Sequence, residues 1–143
     1  MDNNFEKQFS DLQADMISVC LEYSERKCET IFIHIICEND SVFTNFFFRT
    51  NGTLRRKGKL SDTEASVSMT RQKEALSIIT NNMREIISLC DKNSKPVPTE
   101  FKLVYDVAMR SLKAEYSYEP ITSPEKSDRI VSDEWFSQQS GKN

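Results

Sequence analysis

Hydrophobic residues recur every three or four positions at the start of the chain, and this spacing predicts an amphipathic helix. The apolar stripe consists of Phe5, Phe9, Leu12, Met16, Val19 and Tyr23. The same spacing returns further along and predicts a second, longer helix over residues 66–91. That helix must end before Pro96 and Pro98, because proline cannot continue a helix.

Two apolar runs rich in β-branched and aromatic residues predict a β-hairpin. They are TIFIHIICE at 30–38 and VFTNFFFRT at 42–50, separated by the turn residues 39–41. Because consecutive positions are apolar in both runs, we expect cover on both faces or a central place in the sheet. The dipeptide Asn51-Gly52 favours another tight turn, leading into a short charged strand at 53–59.

The last third of the chain alternates between apolar and polar residues and then becomes helical. Alternation predicts strands at 100–109 and 112–119, which pair antiparallel through the short connection 110–111. A short helix opening near 123–125 would turn Trp135 inward, because proline at position 124 suits the first turn of a helix.

These elements give the order α-β-β-β-α-β-β-α and predict an α+β fold. We expect an antiparallel sheet of about five strands, with an N-terminal, a long central and a short C-terminal helix gathered on one side. We place a single domain at residues 1–139 and a disordered tail at 140–143, within a frayed segment that begins at 137.

Length and composition favour one small domain in the cytoplasm. The chain has 143 residues, of which 38% are hydrophobic and 29% charged, and single domains most often have about 100–150 residues. We expect no membrane partner, because apolar runs fall far short of the ~20 residues that a membrane helix needs. The polar, acidic segment 1–13 does not have the pattern of a signal peptide.

The charge balance argues against nucleic acid as the expected ligand. The chain has 19 Lys and Arg against 22 Asp and Glu, a net charge of −3, whereas nucleic-acid binders usually carry a basic excess. The dense basic cluster at 55–59 keeps one alternative open, a small nucleic-acid-binding or regulatory adaptor domain that acts through this hairpin. The same charges would also suit a solvated edge strand protected from unwanted pairing.

The residue types that carry catalysis or bind metals are sparse. The single histidine, His34, lies within an apolar run, where a hydrogen-bonded sheet residue is more common than a base. The four cysteines do not have metal-ligand spacing, so we expect free, largely buried thiols. We therefore predict no enzyme, no metal and no cofactor.

Acidic and aromatic residues are interleaved near the C-terminus, and this mixture is typical of a surface that docks on a basic protein. Aromatic side chains would anchor the partner, and carboxylates would steer its approach. The alternative is that the aromatic residues pack the core and the acids lie outside it. The predicted partner-binding residues are Glu115, Tyr116, Tyr118, Glu119, Asp128, Asp133, Glu134 and Trp135.

The segments LKAEYSYEP and SPEKSDRIVSDEWFSQQ resemble the end of the YezG-like immunity (antitoxin) family. That family typically closes with a strand bearing Lys and Tyr-x-Tyr-Glu/Asp, then a short acidic stretch, then Arg and Trp on a last helix. The matching positions are Lys113, Tyr116, Tyr118, Glu119, Asp128, Arg129 and Trp135. The chain departs from the family in its basic middle hairpin and in the polar tail after the tryptophan.

The resemblance implies an immunity protein of a bacterial polymorphic-toxin or contact-dependent inhibition system. Such a protein binds a cognate toxin C-terminal domain, often a nuclease, and neutralises it by stoichiometric occlusion without catalysis. An acidic surface would suit the basic cleft of a nuclease. The toxin's activity, whether its active site or an exosite is covered, and the oligomeric state of the chain stay open at this point.

Overall fold

The computed structural model describes residues 2–61, 63 and 65–141. Within these residues the chain forms three helices and five strands in the predicted order, which confirms the α+β fold class. The elements are α1 (Asp2–Tyr23), β1 (Thr30–Glu38), β2 (Ser41–Thr50), β3 (Thr53–Arg56), α2 (Met69–Lys92), β4 (Glu100–Asp106), β5 (Ser111–Ser117) and α3 (Asp128–Ser140). The strands form one antiparallel sheet in the order β3-β2-β1-β4-β5, so β1 lies at its centre.

Tight turns with left-handed backbone join the first three strands at the two places where the sequence predicts turns, except that Ser41, expected in the first turn, belongs to β2. Asn39 and Asp40, between β1 and β2, have φ angles of 53° and 61°. Asn51 and Gly52, between β2 and β3, have φ angles of 51° and 78°. Two successive positive φ angles are what a two-residue hairpin loop requires, and Asn, Asp and Gly adopt them at the least cost.

Strands β3 and β4 are shorter than predicted because the chain turns before the alternating pattern ends. The Lys59 amide donates to the Arg56 carbonyl at 3.0 Å, which closes a turn where the third strand was expected to continue. Strand β4 ends at Asp106, whose carboxylate accepts a hydrogen bond from the Met109 amide at 3.0 Å. Such local hydrogen bonds compete with a strand ladder and are not visible in hydrophobic periodicity.

Helices α1 and α2 pack against each other and against the sheet through the apolar stripes that predicted them. Helix α2 begins where Ser68 caps it, since the Ser68 hydroxyl accepts a hydrogen bond from the Arg71 amide at 3.2 Å. In the described part of the chain, no helix combines the length and the apolarity needed to cross a membrane.

The third helix lies on the opposite face of the sheet from α1 and α2, so the expectation that all helices gather on one side is wrong. Successive side chains of a strand point to opposite faces, and β1 is apolar at consecutive positions. Its Ile31 and Ile33 pack under α1 and α2, whereas the intervening Phe32 packs under α3. Helices therefore cover β1 and β2 on both faces, which confirms the expectation drawn from their continuous apolar runs.

Two hydrophobic clusters of unequal size result. The larger cluster fills the space between α1, α2 and the sheet, and its fully buried large side chains are Met16, Ile31, Ile33, Ile35, Phe46, Phe48, Ile79, Met83, Ile86 and Phe101. The smaller one lies under α3 and is built around Phe32, Phe47 and Trp135.

Helix α3 begins later and ends later than predicted. Its cap is Ser127, whose hydroxyl accepts from the Ile130 amide at 3.3 Å, whereas residues 123–126 form a separate tight turn. The helix continues to Ser140, and so extends through residues 137–140, where the sequence predicts a frayed end and the first residue of a tail. Residues 142–143 of that tail lie outside the described residues.

Candidate protein-binding surface

The residues predicted to bind a partner are divided between the two faces of the sheet. Along β5, Glu115 lies opposite Lys102 on the face of α3, whereas Tyr116 lies opposite Phe101 on the face of α1 and α2. A partner that approaches one face therefore cannot contact both sets of side chains. The predicted surface separates into parts with different environments.

Tyr116 and Tyr118 line a groove between α1, the connection from α2 to β4, and the end of β5. The groove has a volume of about 420 Å³. Its apolar walls are Phe5, Phe9, Pro96, Pro98, Tyr116 and Tyr118. We call this feature the aromatic groove.

The two tyrosines of the aromatic groove differ in their contacts and in their exposure. Tyr116 is held in place, because its hydroxyl accepts a hydrogen bond from Gln13 Nε2 at 2.8 Å and its ring meets Phe9 and Phe101 edge-on. Tyr118 is 56% exposed. A rigid aromatic wall beside an exposed aromatic ring is the arrangement in which interface anchors are commonly found.

Helix α1, which forms one wall of the groove, is acidic on its solvent-facing side. Its exposed acids are Glu6, Asp11, Asp15 and Glu22. The described side chains of the helix include one basic group, Lys7, which pairs with Asp11 at 2.8 Å. Of these acids, Glu6 lines the aromatic groove, where the basic Lys95 is also present. Asp15 faces α2 and accepts a hydrogen bond from Asn82 Nδ2 at 2.9 Å. The helix that borders the groove therefore carries a net negative charge.

Trp135 is 4% exposed, so its predicted role as an exposed anchor for a partner is wrong. Its ring packs edge-on against Phe32 and Phe47 at centroid distances of 5.9 and 5.4 Å. The expectation that the last helix turns this residue inward is confirmed. The physical reason is the apolar second face of β1 and β2, which a large aromatic side chain covers most effectively.

Glu115 lies on the rim of a second, more polar cavity of about 300 Å³ on the face of α3. Lys102, Lys113 and Gln138 line the same cavity. Glu119 is exposed beyond the end of β5, and its carbonyl accepts a hydrogen bond from Thr99 Oγ1 at 2.7 Å. The two predicted acids therefore lie on different parts of the sheet edge.

The acids of α3 are partly neutralised within the chain. Asp133 pairs with Arg56 at 3.2 Å, and Glu134 pairs with Lys126 at 3.0 Å. Asp128 lies in the first turn of the helix, where its negative charge interacts favourably with the helix dipole, and it lines a cavity of about 210 Å³. Part of the acidic charge near the C-terminus therefore stabilises α3 in its position.

The basic cluster at 55–59 is also engaged within the protein. The Arg56 guanidinium lies 3.9 Å from the centre of the Phe136 ring, in addition to its pair with Asp133. Lys57 donates to Asn45 Oδ1 at 2.6 Å, and burial, with the charges of neighbouring arginines, lowers its pKa. These contacts fix α3 to the edge of the sheet, and they do not favour the nucleic-acid or adaptor alternative.

His34 is fully buried and forms a pair with Glu100 that the sequence did not reveal. The Nε2 atom lies 2.7 Å from Glu100 Oε2, and Nδ1 finds no hydrogen-bond partner among the described residues. Burial on its own raises the pKa of the Glu100 carboxyl, but the hydrogen bond from His34 and the charge of Lys102 hold it below its ordinary value. The prediction of a hydrogen-bonded sheet histidine is confirmed.

The cysteines show the environment expected of unreactive thiols. In the described part of the chain all four are free, and Cys20, Cys28 and Cys90 are buried. Burial raises the pKa of the Cys20 and Cys28 thiols, which disfavours the reactive thiolate. Across residues 2–61, 63 and 65–141, no group of three or more His, Cys, Asp or Glu side chains could hold a metal ion.

Comparison with known proteins leaves the resemblance to the YezG-like immunity family as a prediction. No protein-family model and no curated protein sequence matches the chain.

Proposed function

We propose that this chain is a cytoplasmic immunity protein that binds a toxin domain and neutralises it by stoichiometric occlusion. The observation that carries the proposal is the aromatic groove beside the acidic side of α1. The groove contains Tyr116 and Tyr118, two residues of the motif that resembles the YezG-like family. It joins an apolar recess to a helix with a net negative charge, which are the two components that a docking site for a basic protein needs.

The proposed mechanism divides the work between the two components. Tyr118 and the walls of the groove accept an apolar side chain of the toxin, and the loss of that contact would speed dissociation. The carboxylates of α1 attract the positive cleft of a nuclease domain and raise the rate of encounter. Occlusion requires no chemistry from the immunity protein, in keeping with the burial of His34.

The first experiment tests the function itself. A toxin C-terminal domain encoded beside this gene is expressed in cells with and without the chain, and cell survival and complex formation are measured. We expect rescue together with a one-to-one complex. A toxin that kills cells in the presence of the chain, without forming a complex, would show that the proposed function is wrong.

The second experiment tests the surface in that complex. Tyr118→Ala should raise the dissociation constant by about tenfold or more, mainly through faster dissociation. Met69→Ala is the matched control, because Met69 is a similarly exposed apolar residue that lies at the start of α2, away from the groove. Glu6→Lys with Asp11→Lys should slow association and reduce its salt dependence. If both groove variants bind the toxin with wild-type kinetics, the aromatic groove is not the binding surface, and another surface must bind the toxin.

A further inference from the structure

Strand β5 forms an edge of the sheet, since its one neighbour among the described strands is β4. The Thr99 amide donates to the Ser117 carbonyl at 2.8 Å, so the main-chain groups of Ser117 point inward to β4. Main-chain groups alternate in direction along a strand, so those of Leu112, Ala114 and Tyr116 point outward. The outer side of β5 therefore presents a row of donors and acceptors to another strand.

The side chains of β5 are self-complementary around Ala114. Ala114 is preceded by Leu112 and Lys113 and followed by Glu115 and Tyr116. In an antiparallel pair of two copies centred on Ala114, each Lys113 lies opposite a Glu115, and each Leu112 lies opposite a Tyr116. Opposite charges and apolar pairs in these cross-strand positions stabilise a sheet.

The direction of the main chain agrees with this register. Opposed pairs of an antiparallel ladder alternate between hydrogen-bonded and non-hydrogen-bonded ones. In this register the hydrogen-bonded pairs are formed by the outward-pointing residues, Leu112 with Tyr116 and Ala114 with Ala114, and the pairs of Lys113 with Glu115 are the non-hydrogen-bonded ones. The side chains then separate by face. The apolar pairs lie on the face of α1 and α2, and the charged pairs lie on the face of α3.

The two edges of the sheet differ in a way that singles out β5. Strand β3, at the other edge, spans Thr53–Arg56 and carries Arg55 and Arg56 side by side, so a second copy would meet like charges. Strand β5 spans seven residues and carries one positive and one negative charge. Leu112 is 37% exposed and Tyr116 is 39% exposed, so β5 also has apolar area to bury.

We propose that β5 pairs antiparallel with β5 of a second copy of this chain, on a two-fold axis at Ala114, to form a continuous sheet across a homodimer. The occupant of the edge is a second copy because the pattern of charges complements itself under two-fold rotation. The proposal does not rest on the proposed function, and its test needs no toxin.

Sedimentation equilibrium of the full chain measures the dimer directly. We expect a reversible dimer with a dissociation constant of order micromolar, as befits a small interface. Lys113→Glu sets Glu opposite Glu at both pairs and should raise the dissociation constant about tenfold or more. Glu115→Lys sets Lys opposite Lys and should do the same. Lys73→Glu, an equal charge change on the exposed side of α2, should leave the dimer unchanged.

Mixing the two charge variants separates pairing from any effect on folding. In a heterodimer of the Lys113→Glu chain with the Glu115→Lys chain, both cross-strand pairs are again of opposite sign. We expect the mixture to dimerise with a lower dissociation constant than either variant alone. A structural defect in either variant would not be repaired by mixing.

Amide hydrogen exchange of the wild-type chain gives a second measurement without substitution. The amides of Leu112, Ala114 and Tyr116 should exchange more slowly as protein concentration rises, whereas that of Met109 in the preceding turn should not change. A chain that stays monomeric at about 100 µM, well above a micromolar dissociation constant, would overturn the proposal. So would charge variants that dimerise like the wild type, a mixture that does not, or a β5 edge that becomes protected only when a toxin is added.

Discussion

The two faces of the sheet are covered in different ways. The face under α1 and α2 buries a large, almost wholly apolar cluster in which Phe46 and Phe48 meet the ring of Tyr23. The face under α3 buries a small aromatic cluster together with polar pairs. Among these are Asn45 with Ser132 at 3.0 Å and His34 with Glu100 at 2.7 Å.

The two faces therefore contribute differently to the fold. One mainly stabilises it, and the other mainly fixes the position of α3. Apolar burial is non-directional and contributes in proportion to the area removed from water, so the larger cluster supplies most of the stability. Hydrogen bonds and ion pairs are directional, so those under α3 select one position for that helix. Glu38 adds to this, because its carboxylate accepts from the Ile121 and Thr122 amides and so ties the segment before α3 to the end of β1.

The largest expected effect is a cavity under α1 and α2. Phe46→Ala should lower the free energy of unfolding by about 4 kcal/mol, because it removes a fully buried ring from the larger cluster. Urea unfolding followed by circular dichroism measures this loss.

The matched control for that cavity is Phe43→Ala. Phe43 lies three residues earlier in β2, on the face of α3, and its ring is only half-buried. We expect a loss well below that of Phe46→Ala. An equal or larger loss would contradict the unequal division of stability between the two faces.

A smaller effect is expected from the buried polar pair under α3. Glu100→Gln keeps the shape of the side chain but removes its charge, and should cost about 2 kcal/mol at neutral pH, the usual scale for a hydrogen bond to a charged group. Unfolding should be followed both by circular dichroism and by fluorescence of Trp135, the one tryptophan of the chain, which contacts His34 at a centroid distance of 4.9 Å.

The same variant has a defined pH dependence. The pKa of Glu100 is lowered from its ordinary value of 4.5 in the folded chain. Its charge therefore contributes stability above that ordinary value, and the contribution is lost as pH falls through the folded pKa. The difference between wild type and Glu100→Gln should close in acid. Glu119→Gln, at an exposed carboxylate, is the control and should show neither the loss nor its pH dependence. A gap that persists in acid would show that ionisation of Glu100 is not its cause.

The smallest effect is expected at the edge of the sheet. Arg56→Ala removes a half-exposed ion pair with Asp133 and the stacking on Phe136, and should cost about 1 kcal/mol or less in urea unfolding. Lys126→Ala removes a comparable pair with Glu134 that has no aromatic ring beneath it among the described contacts, and should cost less still. A loss that rivals Phe46→Ala would mean that the polar contacts of α3, rather than apolar burial, dominate stability.

Much of the candidate binding surface was present in the sequence, but its assembly was not. Tyr116 and Tyr118 were predicted together, and both line the aromatic groove, because a spacing of two in an extended chain places side chains on one side. Trp135 was predicted both to turn inward and to bind a partner, and its burial agrees only with the first. An aromatic residue among charged ones does not show by itself whether it anchors a partner or packs in the core. The acids of α1 were passed over, because polar positions of an amphipathic helix are expected at any solvated face.

The sequence by itself determined the order of the elements, the turns at Asn39-Asp40 and Asn51-Gly52, and the need to cover both faces of β1. These features depend on residues close together in the chain, where periodicity and turn chemistry act directly. Tertiary structure alone decided that α3 takes the second face, that His34 meets Glu100, and that Phe9 meets Tyr116. Those contacts join residues far apart in the chain, and only the packing of helices on a twisted sheet brings them together.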